Sequence, residues 1–171
     1  MSGIETERKF LVRGCSYRAG AVLHSHIIQG YICSGQGHTV RVRLRDGRGF
    51  LTIKGPSADG GVSRYEFEHE ITPDEAEHLM RLCEPGLIDK TRYMVPAGKH
   101  VIEVDEFHGD NAGLVLAEVE LSNAGEPFEK PSFIGPEVTG DHRFYNSSLR
   151  SLPYTLWRGT IPTDCRHTEL E

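Results

Sequence analysis

Period-two alternation of charged and apolar residues, repeated segment after segment with one sign of charge dominating each, most narrows what this chain can fold into. Residues two apart on a β-strand share a face. Glu5, Glu7 and Lys9 therefore lie opposite Ile4, Phe10 and Val12, and Arg41, Arg43 and Arg45 lie opposite Val40, Val42 and Leu44. Thr52 and Lys54 alternate with Leu51 and Ile53, and Arg64, Glu66, Glu68 and Glu70 with Tyr65 and Phe67. Glu103 and Asp105 alternate with Ile102 and Val104, and Glu118 and Glu120 with Ala117 and Val119. Eight strands are predicted, over 4–12, 26–33, 39–45, 50–54, 63–71, 92–95, 100–107 and 114–121.

Turn chemistry separates the strands. Asp46-Gly47, followed by Arg48-Gly49, predicts a tight hairpin and hence an antiparallel pair. Thr72 is a predicted helix N-cap, with Pro73 at the first helical position, Glu75 closing a capping box and Pro85-Gly86 as the stop. A second helix is predicted from about Thr139 to before Pro153, and residues 125–136, rich in Pro and Gly, as irregular loop. Residues 1–153 are expected to form one domain. Residues 154–171 form a C-terminal extension without periodicity, expected to pack around Leu156 and Trp157 or to be partly disordered.

A one-sided open sheet would also alternate. Against it, like charges recur within strands, where neighbouring repulsions cost about 0.2–1 kcal/mol each. Too little helix is present to cover eight open strands, and so many strands tend to close and bury their edges. A closed sheet could face its apolar side inward as an ordinary barrel, or its charged side inward as a tunnel. A charged interior is costly unless a ligand completes it. Arginine forks suit a polyanion, and carboxylates suit hard divalent cations.

The 171 residues carry a formal net charge of −6, which disfavours duplex DNA and anionic membrane as partners. No apolar run approaches a membrane span, and no apolar leader segment opens the chain, so a cytoplasmic location is expected. Cys15, Cys33, Cys83 and Cys165 are scattered without C-x-x-C spacing and read as free thiols.

The motifs Glu5-Thr6-Glu7-Arg8-Lys9, Val-Arg-Val-Arg-Leu-Arg at 40–45, Leu-Thr-Ile-Lys at 51–54, Ser-Arg-Tyr-Glu-Phe-Glu at 63–68, Asp-Lys-Thr-Arg-Tyr at 89–93, Glu-Val-Asp at 103–105, Ala-Glu-Val-Glu at 117–120 and Glu-Val-Thr-Gly-Asp at 137–141 occur in an order that resembles the CYTH, or triphosphate tunnel metalloenzyme, superfamily. The resemblance runs from residue 4 to about residue 150. It implies an α+β fold, an eight-stranded antiparallel β-barrel forming a triphosphate tunnel with helices packed outside.

The resemblance further implies a Mg²⁺- or Mn²⁺-dependent phosphohydrolase acting on a small-molecule triphosphate, with inorganic tripolyphosphate first in line. Class IV adenylate cyclase, thiamine triphosphatase and a polyphosphate- or nucleotide-binding module without turnover are the alternatives. The first two need room beyond the tunnel mouth, and no residue pattern announces it. By position, Glu5, Glu7, Glu68, Asp105, Glu118 and Glu120 match metal-site carboxylates, with Glu68 rather than Glu66 facing the metal. Lys9, Arg43, Arg45, Lys54, Arg64 and Arg92 match phosphate-gripping positions, and Lys90 is the candidate for orienting an attacking water. Arg41 is assigned to solvent near its strand end. Short relatives tend to carry lysines where His142 and Tyr145 stand here, while Arg143 is expected to reach ligand from the covering helix.

Overall fold

The structure is a computed structural model that describes residues 2–168. Its strands are β1 (Ser2–Val12), β2 (Leu23–Gly35), β3 (His38–Arg45), β4 (Arg48–Lys54), β5 (Ser63–Ile71), β6 (Ile88–Ala97), β7 (His100–Phe107), β8 (Val115–Glu120) and β9 (Ile134–Glu137). The first eight close into a barrel in the order β5-β4-β3-β2-β6-β7-β8-β1, with β1 returning to β5. All pairings are antiparallel. Closure depends on β1, whose residues Ser2–Thr6 pair with β5 and Glu7–Leu11 with β8.

Local chemistry explains the connections. Asp46 (φ +48°) and Gly47 (φ +80°) both adopt left-handed backbone, as a two-residue hairpin turn demands. Thr72 and Glu75 form the reciprocal capping box of the helix Pro73–Met80. That helix lies on the barrel exterior, and a Cβ on Gly49 would stand 2.8 Å from the Ala76 methyl, so glycine permits the close approach.

Two expectations are corrected. Residues 125–136 are not wholly irregular: Ile134–Glu137 is β9, which pairs with β1 over Phe10–Val12. The expected long helix after Thr139 is instead a 3₁₀ turn, His142–Phe144, and a one-turn helix, Asn146–Leu149. Extended Tyr145 (ψ 133°) breaks the run, and Asp141 caps the first turn through Arg143 N.

Apolar packing lies in two places. Outside the barrel, Phe10, Val12, Val95, Ile102, Val104, Ala117 and Val119 pack with Tyr17, Phe133 and Ile134. A second cluster occupies one barrel end, where Leu11, Ile88, Phe107 and Leu116, on the inward parity, meet Phe144, Leu149, Tyr154, Ile161 and Cys165. The C-terminal segment thus closes part of that end through Tyr154, Ile161 and Cys165. Leu156, expected to anchor it, is exposed, while Trp157 packs edge-on against Phe144 and Tyr154. Residues 169–171 of that extension lie outside the described residues. The four thiols are free, and among the described residues no helix is long and apolar enough to cross a membrane.

Candidate functional site

The inward parity of the eight strands builds a charged tunnel of about 240 Å³. Glu5, Glu7 and Lys9 enter from β1, Arg41, Arg43 and Arg45 from β3, and Lys54 from β4. Arg64, Glu66 and Glu68 come from β5, Lys90 and Arg92 from β6, Glu103 from β7, and Glu118 and Glu120 from β8. Eight basic side chains face seven carboxylates. Tyr31, Thr39, Tyr145, Asn146 and Ser147 complete the wall.

Most of these charges neutralise one another across strands. Lys9 Nζ lies 2.9 Å from Glu118, and Lys54 Nζ lies 2.7 Å from both Glu5 and Glu66. Arg64 reaches Glu5 and Glu7 at 3.3 Å, and Arg43 donates to Glu68 at 3.0 Å. Burial opposes ionisation of Glu118, but Lys9 and Arg92 outweigh it and hold its carboxyl well below the usual range. Asp105 lies one layer behind the lining, fully buried. It accepts from Lys90 at 2.6 Å and from two Arg92 nitrogens at 2.7 Å. Burial also opposes its ionisation, and Arg92 and Lys90 still keep it below its ordinary value. Lys90, sharing that one carboxylate with Arg92, is pushed by burial down to about 8.

The unbalanced charge is segregated. On the β3 side, burial first and Arg41 second push Arg43 down to about 10, and Arg45, stacked 4.9 Å over Phe50, has no carboxylate partner among the described residues. On the opposite side Glu120 has no cationic partner among them. Burial raises its carboxyl, and Glu5, Glu103, Glu66 and Glu7 raise it further. One wall calls for an anion and the other for a cation.

Most expected site residues converge here: Glu5, Glu7, Glu68, Glu118, Glu120, Lys9, Arg43, Arg45, Lys54, Arg64, Arg92 and Lys90 line the tunnel. Three placements differ. Asp105, expected among the metal carboxylates, is the buried counter-ion of Lys90 and Arg92. Arg143 points away: it is exposed, forks onto Asp141 and lies 5.5 Å from the Trp157 ring. Arg41 is not solvated but lines the wall, donating to Thr52 at 3.2 Å. Glu103, unassigned from sequence, pairs with Arg92 in the tunnel. Among the described residues no three carboxylate, histidine or cysteine side chains are already gathered around a metal-sized point. The donor chemistry nonetheless fits a hard divalent cation, because Glu120 has no cationic partner among the described residues and its neighbours Glu5, Glu7 and Glu66 share Lys54 and Arg64 between the three of them.

The family model described as CYTH domain matches residues 3–148, which is most of the chain. The chain belongs to the CYTH family. An inorganic triphosphatase of Acetivibrio thermocellus is 46% identical over 155 residues, covering 89% of this CYTH chain and 96% of that protein. One from Nitrosomonas europaea is 35% identical over 150 residues, covering 85% and 95%. The crystal structure of an inorganic triphosphatase superposes with a TM-score of 0.62 at 30% identity, over 85% of this chain and 93% of that one. The CYTH tunnel also opens beside a second cavity of about 770 Å³, which shares Thr39, Arg64, Tyr145 and Ser147 with it. That room lacked any sequence signal, being walled by the turns around Ser34–Gly37 and Gly55–Gly61.

Proposed function

We propose that this chain is a metal-dependent triphosphatase that hydrolyses inorganic tripolyphosphate to pyrophosphate and phosphate. The observation that carries the reading is the segregation of unbalanced charge across one tunnel, excess arginine on β3 facing excess carboxylate around Glu120. Counting Asp105 behind it, the site is electrically even, eight charges of each sign. A triphosphate adds several negative charges, so it cannot be held there without an added cation.

Mg²⁺ or Mn²⁺ would be held by Glu5, Glu7 and Glu120, supplying Lewis-acid neutralisation of phosphate oxygens. Glu5 and Glu7 would do so while releasing part of their contacts with Lys54 and Arg64, and Glu68 and Glu118, expected as further ligands, pair with Arg43 and Lys9. The basic residues do the positioning. Arg43, Arg45 and Arg92 hold non-bridging oxygens in line, since phosphoryl transfer needs placement and charge stabilisation more than covalent chemistry. Lys90, fixed by Asp105, directs a water at the terminal phosphorus.

The pKa of Lys90 gives this role a pH signature. If its ammonium form orients the water, kcat/KM falls as pH rises through about 8, the value to which burial lowers it. Bound triphosphate favours the charged amine, so the limb in kcat lies at higher pH than the limb in kcat/KM. Initial-rate profiles measure both, and a flat kcat/KM from pH 7 to 10 would remove Lys90 from that role.

The adjoining cavity favours a second reading, a substrate with a group beyond its triphosphate. Purified protein is incubated with tripolyphosphate, ATP or thiamine triphosphate and Mg²⁺ or Mn²⁺, and phosphate, pyrophosphate and cyclic AMP are measured. Phosphate released chiefly from tripolyphosphate is the expected result. Pyrophosphate with cyclic AMP from ATP would establish a cyclase instead, and no turnover of any substrate would leave a binding module. The unpaired thiols fit a reducing, cytoplasmic setting.

A further inference from the structure

Three side chains form one row across β3, β4 and β5. Arg41 stands directly opposite Thr52, and Thr52 directly opposite Glu68. Arg41 and Glu68 line the tunnel, whereas Thr52 between them is fully buried and does not. The Thr52 hydroxyl donates to Glu68 Oε2 at 2.8 Å and accepts from Arg41 Nη2 at 3.2 Å. A hydroxyl has one proton to give. That proton goes to the carboxylate, so toward the guanidinium the oxygen can only accept, and the row runs in a single sense from Arg41 through Thr52 to Glu68. A β-branched side chain is stiff at its first torsion, which holds the oxygen between the two charges. Arg41 Nη2 also lies 3.5 Å from Glu68 Oε2, the atom to which Arg43 donates at 3.0 Å. With Nη2 engaged in this way, Arg41 Nη1 has no hydrogen-bond partner among the described residues.

We propose that Thr52 is a positioning residue of the triphosphate site, holding the Arg41 guanidinium by Nη2 so that Nη1 meets a non-bridging phosphate oxygen. A long, rotamer-rich side chain loses freedom when a ligand orders it, and setting it beforehand removes that cost from binding. A carboxylate in place of Thr52 would hold Arg41 more strongly but would cancel charge on the wall that an anion needs. A hydroxyl orients the guanidinium and leaves the charge alone. An apolar residue would leave Arg41 only its 3.5 Å contact to a carboxylate that it shares with Arg43. The inference rests on the triphosphatase reading and adds to that site a residue that touches no ligand.

The test compares wild type, Thr52→Val, Thr52→Ser, Arg41→Ala and the Thr52→Val/Arg41→Ala double variant by tripolyphosphate hydrolysis and thermal unfolding. Valine keeps the branched shape and loses the hydroxyl, so KM is expected to rise about 10-fold, the size of one hydrogen bond to a charged group, with kcat much less affected. Serine keeps the hydroxyl and loses the methyl group, so its KM is expected to stay near the wild-type value. The double variant is expected to match Arg41→Ala in KM, because Thr52 acts through Arg41. A role in packing alone predicts the reverse order, with serine the more damaging change in melting temperature and neither variant moving KM. Wild-type KM in Thr52→Val, an equal rise in Thr52→Ser, or a full further rise when Thr52→Val is added to Arg41→Ala would each overturn this inference and leave the triphosphatase reading intact. Absence of turnover in wild type would overturn both.

Discussion

Replacing Asp105 by alanine is expected to destabilise the folded chain by about 3–5 kcal/mol, the usual consequence of removing one partner from a buried ion pair. Asp105 is inaccessible to solvent and is the one carboxylate within ion-pair reach of Lys90 among the described residues. Arg92 keeps Glu103 and Glu118 when Asp105 is lost, but Lys90 keeps a 3.4 Å contact to the Asn146 side-chain Oδ1 and the Phe107 ring 5.5 Å away, neither of which carries charge. A fully buried ammonium left that way either loses its proton or opens the fold to water. Both outcomes remove the ammonium that the proposed water-orienting role requires, so turnover is expected to fall with stability. Urea unfolding in excess chelator separates this account from the metal-ligand role expected from the sequence. A counter-ion is missed whether or not metal is present, so the metal-free variant unfolds at much lower urea than metal-free wild type. A residue whose task was to bind metal would leave metal-free stability unchanged, and that result would return Asp105 to the ligand set.

Asp105 also shows where sequence reading succeeds and where it stops. Parity assigns a side chain to a face of a strand, and every lining charge from Glu5 to Glu120 follows it. Depth along the barrel axis depends on how the strands are staggered, which no single strand encodes. Glu103 and Asp105 share a parity, yet one reaches the lumen and the other lies behind Arg92. Local signals with one backbone solution were equally legible: the Asp46-Gly47 turn and the Thr72–Glu75 capping box form as read. Strand β9 was not, because four residues containing Gly135 and Pro136 are too few to display alternation, and only its pairing with Phe10–Val12 makes it a strand. The break at Tyr145 had no helix-breaking residue to announce it. It turns Tyr145, Asn146 and Ser147 toward the tunnel and leaves Arg143 on Asp141. Uncharged wall residues such as Tyr31 and Thr39 carried no pattern at all.

Substituting Glu120 by glutamine is expected to lower kcat/KM for tripolyphosphate by about 100-fold or more, since a bound divalent cation contributes several kcal/mol of transition-state stabilisation. Its carboxyl is raised by burial and by four neighbouring glutamates. A raised carboxyl is at its most favourable when protonated. Its contribution to stability is therefore lost as pH rises through the folded value, and at neutral pH the ionised group is a cost to the metal-free fold. Glutamine removes that cost, so the metal-free variant should unfold no earlier than metal-free wild type. A cation bound at Glu120 as proposed would offset that cost. Glu7, opposite Glu120 in the β1–β8 register, belongs to the same cluster, and Glu7→Gln should behave alike in turnover. Its Arg64 contact makes some loss of stability there acceptable. Raising Mg²⁺ or Mn²⁺ should recover part of the Glu120→Gln activity, because the defect is one of affinity as well as chemistry, whereas a defect in phosphate grip would be insensitive to metal. Full metal-dependent activity in both variants at limiting metal would show that the cation is held elsewhere, and the charge segregation across the tunnel would need another explanation.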